Sequence, residues 1–338
     1  MTAVAQRDGD YESIKTVESV TADSVRLEYS AERRESDLLS VGPAQLRTVH
    51  VQRRVRRADL RNAHGYLQQF YAHIPQSVPG TTAIGTSAQV LQALRAGHET
   101  PLGIFIAFSG PAGIDRSTHP NVYDNQMIAK IHPVESHPVA MNVLVNDRPV
   151  ELPAIHAAGE FFGDKTEFYF LDDPRNPLTL RYRFGIGAIA GHDRDDFRVT
   201  KIAFHCAGGA SAQAPEDAME RALASGRRAQ VYDIYFSFDS AHIRSASEPA
   251  LASIAAILRR HPRWKIDIGG HTDDVGGAAY NLSLSLARAR AVRDALIRRY
   301  QVDAARLTAS GHGASEPQDS NATLEGRARN RRVELALE

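Results

Sequence analysis

Apolar and polar positions follow the clearest pattern in the C-terminal third of the chain. Residues 264–268, Trp-Lys-Ile-Asp-Ile, alternate as in a half-buried strand. The paired glycines Gly276 and Gly277 then permit a sharp reversal. Apolar residues follow at the spacing of an amphipathic helix: Leu282, Leu286, Ala289, Val292 and Leu296. This stretch therefore predicts a strand, a tight acidic loop and a helix.

Similar patterns flank this stretch. Strand-like segments lie at residues 231–236, 307–310 and 330–337. A helix is expected over 247–260, which Ser247 can cap, with an apolar face of Leu251, Ile254, Ile257 and Leu258. A β-α-β-α-β-β order with crossover helices predicts a mixed sheet with two helices on one face.

The preceding part of the chain is rich in strand patterns. Residues 100–206 contain an apolar run at 102–108, a hairpin pattern at 140–152, a second pair at 166–184 and a strand at 197–204. These favour a β-rich sandwich or barrel-like domain. Helices are expected earlier, over 58–74 and 87–96. The fold class predicted for the whole chain is α+β, with a β-rich N-terminal domain carrying a few helices.

Changes in composition divide the chain into four segments. Residues 1–45 are polar, with one strand-like piece at 24–29, and we expect them to be mobile or partly ordered. A mainly β domain of unknown function should span 46–206. Small residues and a short helix form an expected linker at 207–228. The last domain then covers 229–338. The length of 338 residues suits two domains.

Charge and cysteine content narrow the functional classes. The 40 basic and 40 acidic residues balance, so no global field attracts nucleic acid or acidic lipid. The single Cys206 excludes a disulfide within the chain and is expected to be a buried small residue. No run reaches the roughly 18 apolar residues of a membrane span. Residues 1–10 lack the apolar core of a secretory signal, so we expect a mature or trimmed form of the protein.

Two charged clusters in the N-terminal part are candidates for a binding site. Residues 51–57, Val-Gln-Arg-Arg-Val-Arg-Arg, could contact an anionic lipid, polysaccharide or nucleic acid, but their alternation favours arginines on a solvated strand face. Residues 192–196, His-Asp-Arg-Asp-Asp, lack the glycine and distal glutamate of a calcium loop, and we interpret them as a solvated turn. No nucleophile or phosphate-binding motif is present. We therefore predict no catalytic residue, metal or cofactor.

The C-terminal stretch carries the candidate binding chemistry. Asn281 and Arg288 lie seven residues apart, two turns on one helix face, so both can point at the loop carrying Asp273. This places an anion, an amide and a guanidinium around one shallow pocket. Such a pocket suits a ligand that bears both an ammonium and a carboxylate.

The same stretch carries a family resemblance. Residues from about 231 to 338 resemble the C-terminal domain of outer-membrane protein A, the peptidoglycan-associated lipoprotein and the flagellar stator B subunit. The resemblance rests on five blocks in the same order: Phe236 to Ala241, Gly270 to Asp273, Tyr280-Asn281 with Leu284 to Ala289, Gly311 to Gly313, and Gly326 to Glu334. It implies the same α+β sandwich. It does not extend to residues 1–220, whose family is not recognised.

The resemblance assigns two principal ligand contacts. Asp273 ends the family's Thr-Asp signature and should pair with the ammonium of the diaminopimelate in the wall peptide. Arg288 should hold the carboxylate of the same residue, because its planar fork binds carboxylates in two places. The neighbouring Asp274 should point away.

Three further positions are weaker candidates for the same pocket. Asn281 can donate to the ligand or to the loop backbone. Asp239 matches a family position that faces the pocket. Arg331 can line the rim or pair with the sheet edge. Val275 stands where relatives often carry a small polar residue, so one side-chain contact is expected to be missing.

These residues bind and do not catalyse. We therefore expect non-covalent peptidoglycan binding that anchors an N-terminal interaction or sensing module at the wall. The resemblance implies a Gram-negative cell envelope, with a periplasmic or outer-membrane-associated location. Two alternatives stay open: an envelope enzyme that this domain targets to peptidoglycan, and a scaffold component of a larger envelope assembly. A flagellar stator subunit should carry a transmembrane helix before its wall-binding domain. The sequence shows no such run of apolar residues, so we do not expect the scaffold to be a stator.

Overall fold

The computed structural model describes residues 2–7, 11–35, 45–67, 76–105, 126–188, 193, 195–203 and 215–338. The chain divides into two compact units, residues 1–203 and residues 204–338. Cys206 and residues 207–214 of the expected linker lie outside the described residues. In the part of the chain that the structure describes, no helix is both long and apolar enough to cross a membrane.

The N-terminal unit is dominated by strands. They are β1 (Thr2–Arg7), β2 (Tyr11–Val20), β3 (Ser24–Glu35), β4 (Gln45–Arg56), β5 (Gly65–Tyr66), β6 (Thr81–Thr82), β7 (Thr100–Phe105), β8 (Gln126–Pro133), β9 (Val139–Val145), β10 (Arg148–Phe161), β11 (Asp164–Leu171), β12 (Thr179–Phe184) and β13 (Asp195–Ala203). Two helices accompany them, α1 (Arg57–Asn62) and α2 (Ala88–Arg95). The predicted β-rich unit with a few helices is confirmed.

The strands form one sheet of the order β4-β3-β2-β1-β13-β12-β11-β10-β8-β7-β5-β6, with β9 paired to β10 and β13. Local turn chemistry explains the predicted hairpin between β9 and β10. Asn146 and Asp147 connect these strands with φ angles of 47° and 65°, the left-handed conformation that a tight hairpin turn requires. On β11, Thr166, Phe168 and Phe170 alternate into the core, as a half-buried strand should.

The sheet reaches further towards the N-terminus than the sequence indicated. Residues 2–7 and 11–35, expected to be mobile or partly ordered, form β1 to β3, and β1 pairs with β13 at the far end of the unit. Only β3 contains a predicted strand-like piece, at residues 24–29. The helix expected over 58–74 ends at Asn62, and Gly65–Tyr66 pairs as β5 instead.

Arg54 and Arg56 of β4 are exposed, as predicted, but one residue in each charged cluster is not. Arg53 does not lie on a solvated face, because it is buried on the same side of β4 as Val51 and Val55. In the acidic cluster, Arg183 Nε lies 2.7 Å from an Asp193 carboxylate oxygen. Burial alone would raise the pKa of Asp193, but hydrogen bonds from Arg183 and Gly187 lower it. Intramolecular pairing, not solvation, therefore accounts for Asp193.

The C-terminal unit alternates helices and strands. Its elements are α3 (Pro215–Ala224), β14 (Ala229–Val231), α4 (Glu248–Arg260), β15 (Ile266–His271), α5 (Ala278–Tyr300), β16 (Leu307–Gly313), α6 (Leu324–Asn330) and β17 (Val333–Leu337). The sheet order is β14-β17-β15-β16. β15 and β16 are parallel, whereas β17 is antiparallel to β14 and to β15. Apolar faces of α4 and α5 share one core with the sheet, so the predicted mixed sheet and its two helices are confirmed.

Some predicted bounds in this unit are wrong. The first strand ends at Val231 rather than Phe236. The last begins at Val333 rather than Asn330, because α6, which the sequence pattern missed, extends to Asn330. Ser247 stands at the start of α4 as predicted but does not cap it with its side chain. Its hydroxyl instead accepts a hydrogen bond from the Tyr235 amide and donates one to the Tyr235 carbonyl.

Helix α5 packs unusually close to β15 and β16. A Cβ atom at Gly270 would lie 2.1 Å from the carbonyl oxygen of Ser285, and one at Gly311 would lie 2.6 Å from the Leu286 amide nitrogen. Glycine is therefore required at both positions for the helix to rest on the strands. At this short separation the contact face of α5 carries Asn281 and Ser285, both buried.

The predicted apolar stripe of α5 is correct only in its second half. Ala289, Val292 and Leu296 are buried, Leu286 is partly buried, and Leu282 is 52% exposed. Ser285 takes the place expected for a leucine because its hydroxyl accepts a hydrogen bond from the Gly313 amide at 2.9 Å. The buried face of α5 is therefore polar in its first turns, at Asn281 and Ser285, and this polar part lies beside the candidate site.

Candidate ligand-binding site

Asp273 lies in the loop that connects β15 to α5. It is 9% exposed, and one carboxylate oxygen accepts a hydrogen bond from the Val275 amide at 3.2 Å. The other oxygen, Oδ2, lies 2.8 Å from Nη1 of Arg331. Upstream, the Thr272 amide donates to the Gly313 carbonyl of β16, at 2.9 Å. The carboxylate is therefore fixed from both sides, as a pre-organised anion should be.

Asn281 fixes the same loop from the first turn of α5. Its side-chain amide donates to the Asp273 carbonyl oxygen at 3.2 Å, and the residue is 2% exposed. Of its two predicted roles, the structure places it in the contact with the loop backbone. Gly276, with φ at 100°, lets the loop turn back over this amide.

Arg288 lies two turns further along α5. Its Nε donates to the Ser240 carbonyl at 3.0 Å, and the guanidinium lies over the ring of Phe236, 5.0 Å from the ring centre. These contacts hold the guanidinium against the segment that follows β14. A planar guanidinium held in place in this way is a group that can bind a carboxylate through two of its nitrogens.

Asp239 lies on this same segment, in a left-handed conformation with φ at 53°. Its carboxylate accepts a hydrogen bond from the hydroxyl of Tyr280, the residue that precedes Asn281. The pKa of Tyr280 is raised, first by this hydrogen bond, then by desolvation and by the charge of Asp239, although the positive charge of Arg288 lowers it. Tyr280 therefore joins the Asp239–Arg288 side of the site to the Asp273 side through two consecutive residues of α5.

All five predicted residues thus surround the N-terminal half of α5. Asn281 and Arg331 each contact Asp273 directly, while Tyr280 bonds to Asp239 and Arg288 bonds to the neighbouring Ser240. Sequence reasoning missed the contributions of Phe236, Ser240 and Tyr280. All three residues belong to the motif blocks that carry the resemblance, and this was the available signal. Asp274 is exposed.

Comparison with known proteins extends this picture. A model of the OmpA family matches residues 235–331. Outer membrane protein A of Bordetella avium is 32% identical over 167 residues, which are 49% of this chain and 84% of that protein. The chain belongs to the OmpA family.

Two further relatives share the OmpA-family region. Outer membrane porin F of Pseudomonas aeruginosa is 43% identical over 106 residues, 31% of this chain and 30% of the porin. Peptidoglycan-binding protein ArfA of Mycobacterium bovis is 38% identical over 104 residues, 31% of this chain and 32% of that protein. The chain therefore spans less than a third of the length of these two relatives. Their names describe envelope and binding proteins rather than enzymes.

The outer face of the OmpA-family sheet carries a second polar cluster next to the site. His271, Glu316 and Glu334 lie close enough together to hold a metal ion. However, Arg228 Nη1 lies 2.9 Å from a carboxylate oxygen of Glu316 and 3.1 Å from one of Glu334. The guanidinium of Arg332 lies 2.7 Å from the other Glu334 oxygen. The protein's own cations therefore neutralise both carboxylates of this cluster.

The environment of Glu334 predicts a pH dependence of stability. Burial is the largest effect and would raise its pKa, but the contacts with His271 and Arg332 outweigh it and lower the pKa from 4.5 to about 2. Because the folded value lies below the unfolded one, the stabilisation is complete above about pH 4.5 and is lost as the pH falls towards 2. Its size is on the order of 3 kcal/mol.

Urea unfolding of the native chain and of Glu334→Gln at pH 5 and pH 2.5 checks this prediction. The native chain should lose more unfolding free energy on acidification than the variant does, because the amide does not titrate. Other carboxylates titrate in both proteins, so only the difference between them reports on Glu334. Equal losses in the two proteins would contradict the assignment.

Proposed function

We propose that residues 229–338 bind peptidoglycan non-covalently through the diaminopimelate of its stem peptide, and so hold the chain at the cell wall. Asp273 binds the ammonium at the free end of diaminopimelate, and Arg288 binds the carboxylate on the same carbon. The protein then acts in the periplasm or cell envelope. The N-terminal residues 1–206 form an interaction or sensing module that this anchor retains at the wall.

The observation that carries the proposal is the pair of opposite charges presented beside one helix. The Asp273 carboxylate is held by Arg331 and the Val275 amide, and the Arg288 guanidinium by Ser240 and Phe236. Both are fixed before any ligand arrives, so little ordering of side chains opposes binding. A zwitterionic end group matches such a pair, whereas a lone amine or a lone acid would leave one charge unmatched.

Membership of the OmpA family supports the same ligand class. One relative of this region carries peptidoglycan binding in its name, and others are named as outer membrane proteins. The charges of the site favour a ligand end that carries both an ammonium and a carboxylate, and the family resemblance of Asp273 and Arg288 identifies that end as diaminopimelate. This assignment therefore makes a distinct prediction about which wall peptides bind.

Two tetrapeptide stems that differ only in the third residue provide the test. One carries diaminopimelate, and the other carries lysine, whose side chain ends in an ammonium without the carboxylate. The full chain should bind the diaminopimelate stem at least about tenfold more tightly, because a charge-assisted hydrogen bond contributes roughly 1.5–3 kcal/mol. Calorimetry measures both affinities. Arg288→Gln should bind the two stems alike.

Equal binding of both stems by the native chain would contradict the diaminopimelate assignment. No binding of either stem or of intact diaminopimelate-type sacculi would remove the anchor function itself. The unfolding free energy of Arg288→Gln is the accompanying control, because Arg288 also holds the segment at Ser240.

A further inference from the structure

Two consecutive arginines on the approach to β17 point to different sides of the domain. Arg331 reaches Asp273 in the candidate site. The side chain of Arg332 is wholly buried in the opposite cluster, where its Nε and Nη2 donate to Glu334 Oε1 at 3.0 and 2.7 Å. Its Nη2 also donates to the Glu316 backbone carbonyl at 3.1 Å. The contacts of Arg332 therefore fix the backbone that immediately follows Arg331.

The backbone on both sides of Arg331 is held as well. Before it, the fully buried Asn330 accepts hydrogen bonds from the Gln318 and Asp319 amides, at 2.8 and 3.0 Å. After it, the Arg332 carbonyl accepts a hydrogen bond from the His271 amide at 3.0 Å, two residues before Asp273. Arg331 and Asp273 thus extend from two backbone segments that are bonded to each other.

Glu334 is the anion that pairs with Arg332. Its side chain is 5% exposed and has Arg332 on one oxygen and Arg228 on the other, with His271 Nε2 at 3.5 Å. Glu334 lies opposite Gly269 in the sheet register. The ring of His312 occupies the space above this glycine, where a Cβ would lie 3.1 Å from its Nε2. The buried Arg332, the exposed Arg228 and the ring of His271 surround the carboxylate, and an uncharged replacement leaves Arg332 without its counter-ion.

We infer that Glu334 is a positioning residue for the binding site: it clamps Arg332, and this clamp aims the Arg331 guanidinium at Asp273. The inference takes its ligand from the proposed function, whereas the clamp itself is inferred from the contacts of Glu334, Arg332 and Arg331. Glu334 does not touch the ligand. Its removal should weaken binding through Arg331 alone.

The first experiment needs no ligand. Side-chain ¹⁵N resonances of Arg331 in the full chain report whether its guanidinium is held or averages freely. In Glu334→Gln we expect the Arg331 signals to move towards those of a freely rotating arginine. The matched control is Glu316→Gln, which removes the other carboxylate bound by Arg228 but keeps the Arg332–Glu334 pair. Its Arg331 signals should stay as in the native chain. An ordered Arg331 in Glu334→Gln overturns the inference, whether or not peptidoglycan binds.

The second experiment tests coupling in ligand affinity, with the diaminopimelate tetrapeptide as the probe. Glu334→Gln should weaken binding about tenfold in the native background and less than about twofold in an Arg331→Gln background. Glu316→Gln should have little effect in either. Equal effects of Glu334→Gln in both backgrounds would mean that it acts on the fold in general, and would overturn the inference.

A third variant separates positioning from stability if Glu334→Gln unfolds. Arg332→Met combined with Glu334→Leu replaces the buried pair with apolar side chains, an exchange that folds often tolerate. The folded double variant should still show a mobile Arg331 and reduced affinity for the tetrapeptide. Native order and native affinity in this variant would show that the clamp serves stability alone, which contradicts the inference.

Discussion

Asp273→Ala should lower the affinity for a diaminopimelate stem peptide about a hundredfold, because it removes the charge that binds the ammonium. The Arg331 guanidinium, now 2.8 Å from Asp273 Oδ2, would also be left facing the pocket without this anion and would repel the ammonium. Calorimetry with the tetrapeptide and co-sedimentation of the full chain with sacculi should both report the loss.

Two companion variants show whether this loss reflects binding chemistry. Asp274→Ala removes the adjacent, exposed carboxylate and should bind like the native chain. Asp273→Asn keeps an oxygen that can accept from the Val275 amide but removes the charge, so it should bind as poorly as Asp273→Ala. Native affinity in Asp273→Asn would mean that the loop shape, not the charge, recognises the ligand.

Gly270→Ala should destabilise the C-terminal unit by about 3 kcal/mol, at the upper end of what overpacking costs. The new Cβ would meet the Ser285 carbonyl oxygen at 2.1 Å. Since that oxygen belongs to the helix backbone, no side chain can move aside, and α5 itself must shift. Urea unfolding measures the effect, and binding of the tetrapeptide should fall as well because Asn281 moves with the helix.

Gly277→Ala is the matched control, because a Cβ at this position has no atom within 4 Å. Gly277 precedes α5 with φ at −80°, which alanine adopts readily. Gly277→Ala should lower the free energy of unfolding by no more than about 1 kcal/mol, the typical effect of a substitution at a helix N-cap. A Gly270→Ala variant as stable as Gly277→Ala would show that α5 can withdraw from the sheet at little cost.

The sequence predicted the strand, loop and helix of the site but not the face that α5 buries. Leucines at helical spacing favoured Leu282, whereas the structure buries Asn281 and Ser285. The reason is the separation of the two elements. Gly270 and Gly311 bring the helix so close that small or hydrogen-bonding side chains replace leucine at the contact. Apolar periodicity carries no information about such a distance.

Contacts between residues that are far apart in the sequence could not be predicted from it either. The position of Arg331 left two roles open, and the ion pair with Asp273, 58 residues away in sequence, follows only from the antiparallel pairing of β15 with β17. The motif blocks nevertheless placed all five candidate residues around one half of α5. In the N-terminal unit, the sequence pattern predicted most strands from β7 onwards and a piece of β3 at residues 24–29, but not the polar strands β1 and β2.

The pairing of β1 with β13 has a consequence for how the chain is made. Thr2 lies opposite Ala203 in this register, so the edge of β1 that receives β13 stays open until about 200 residues have been synthesised. Hairpins such as β3–β4 can form early from neighbouring residues. An open strand edge is a template for pairing with another chain. Aggregation of nascent or refolding protein should therefore start at β1, and synthetic peptides of the β13 sequence should suppress it by occupying that edge.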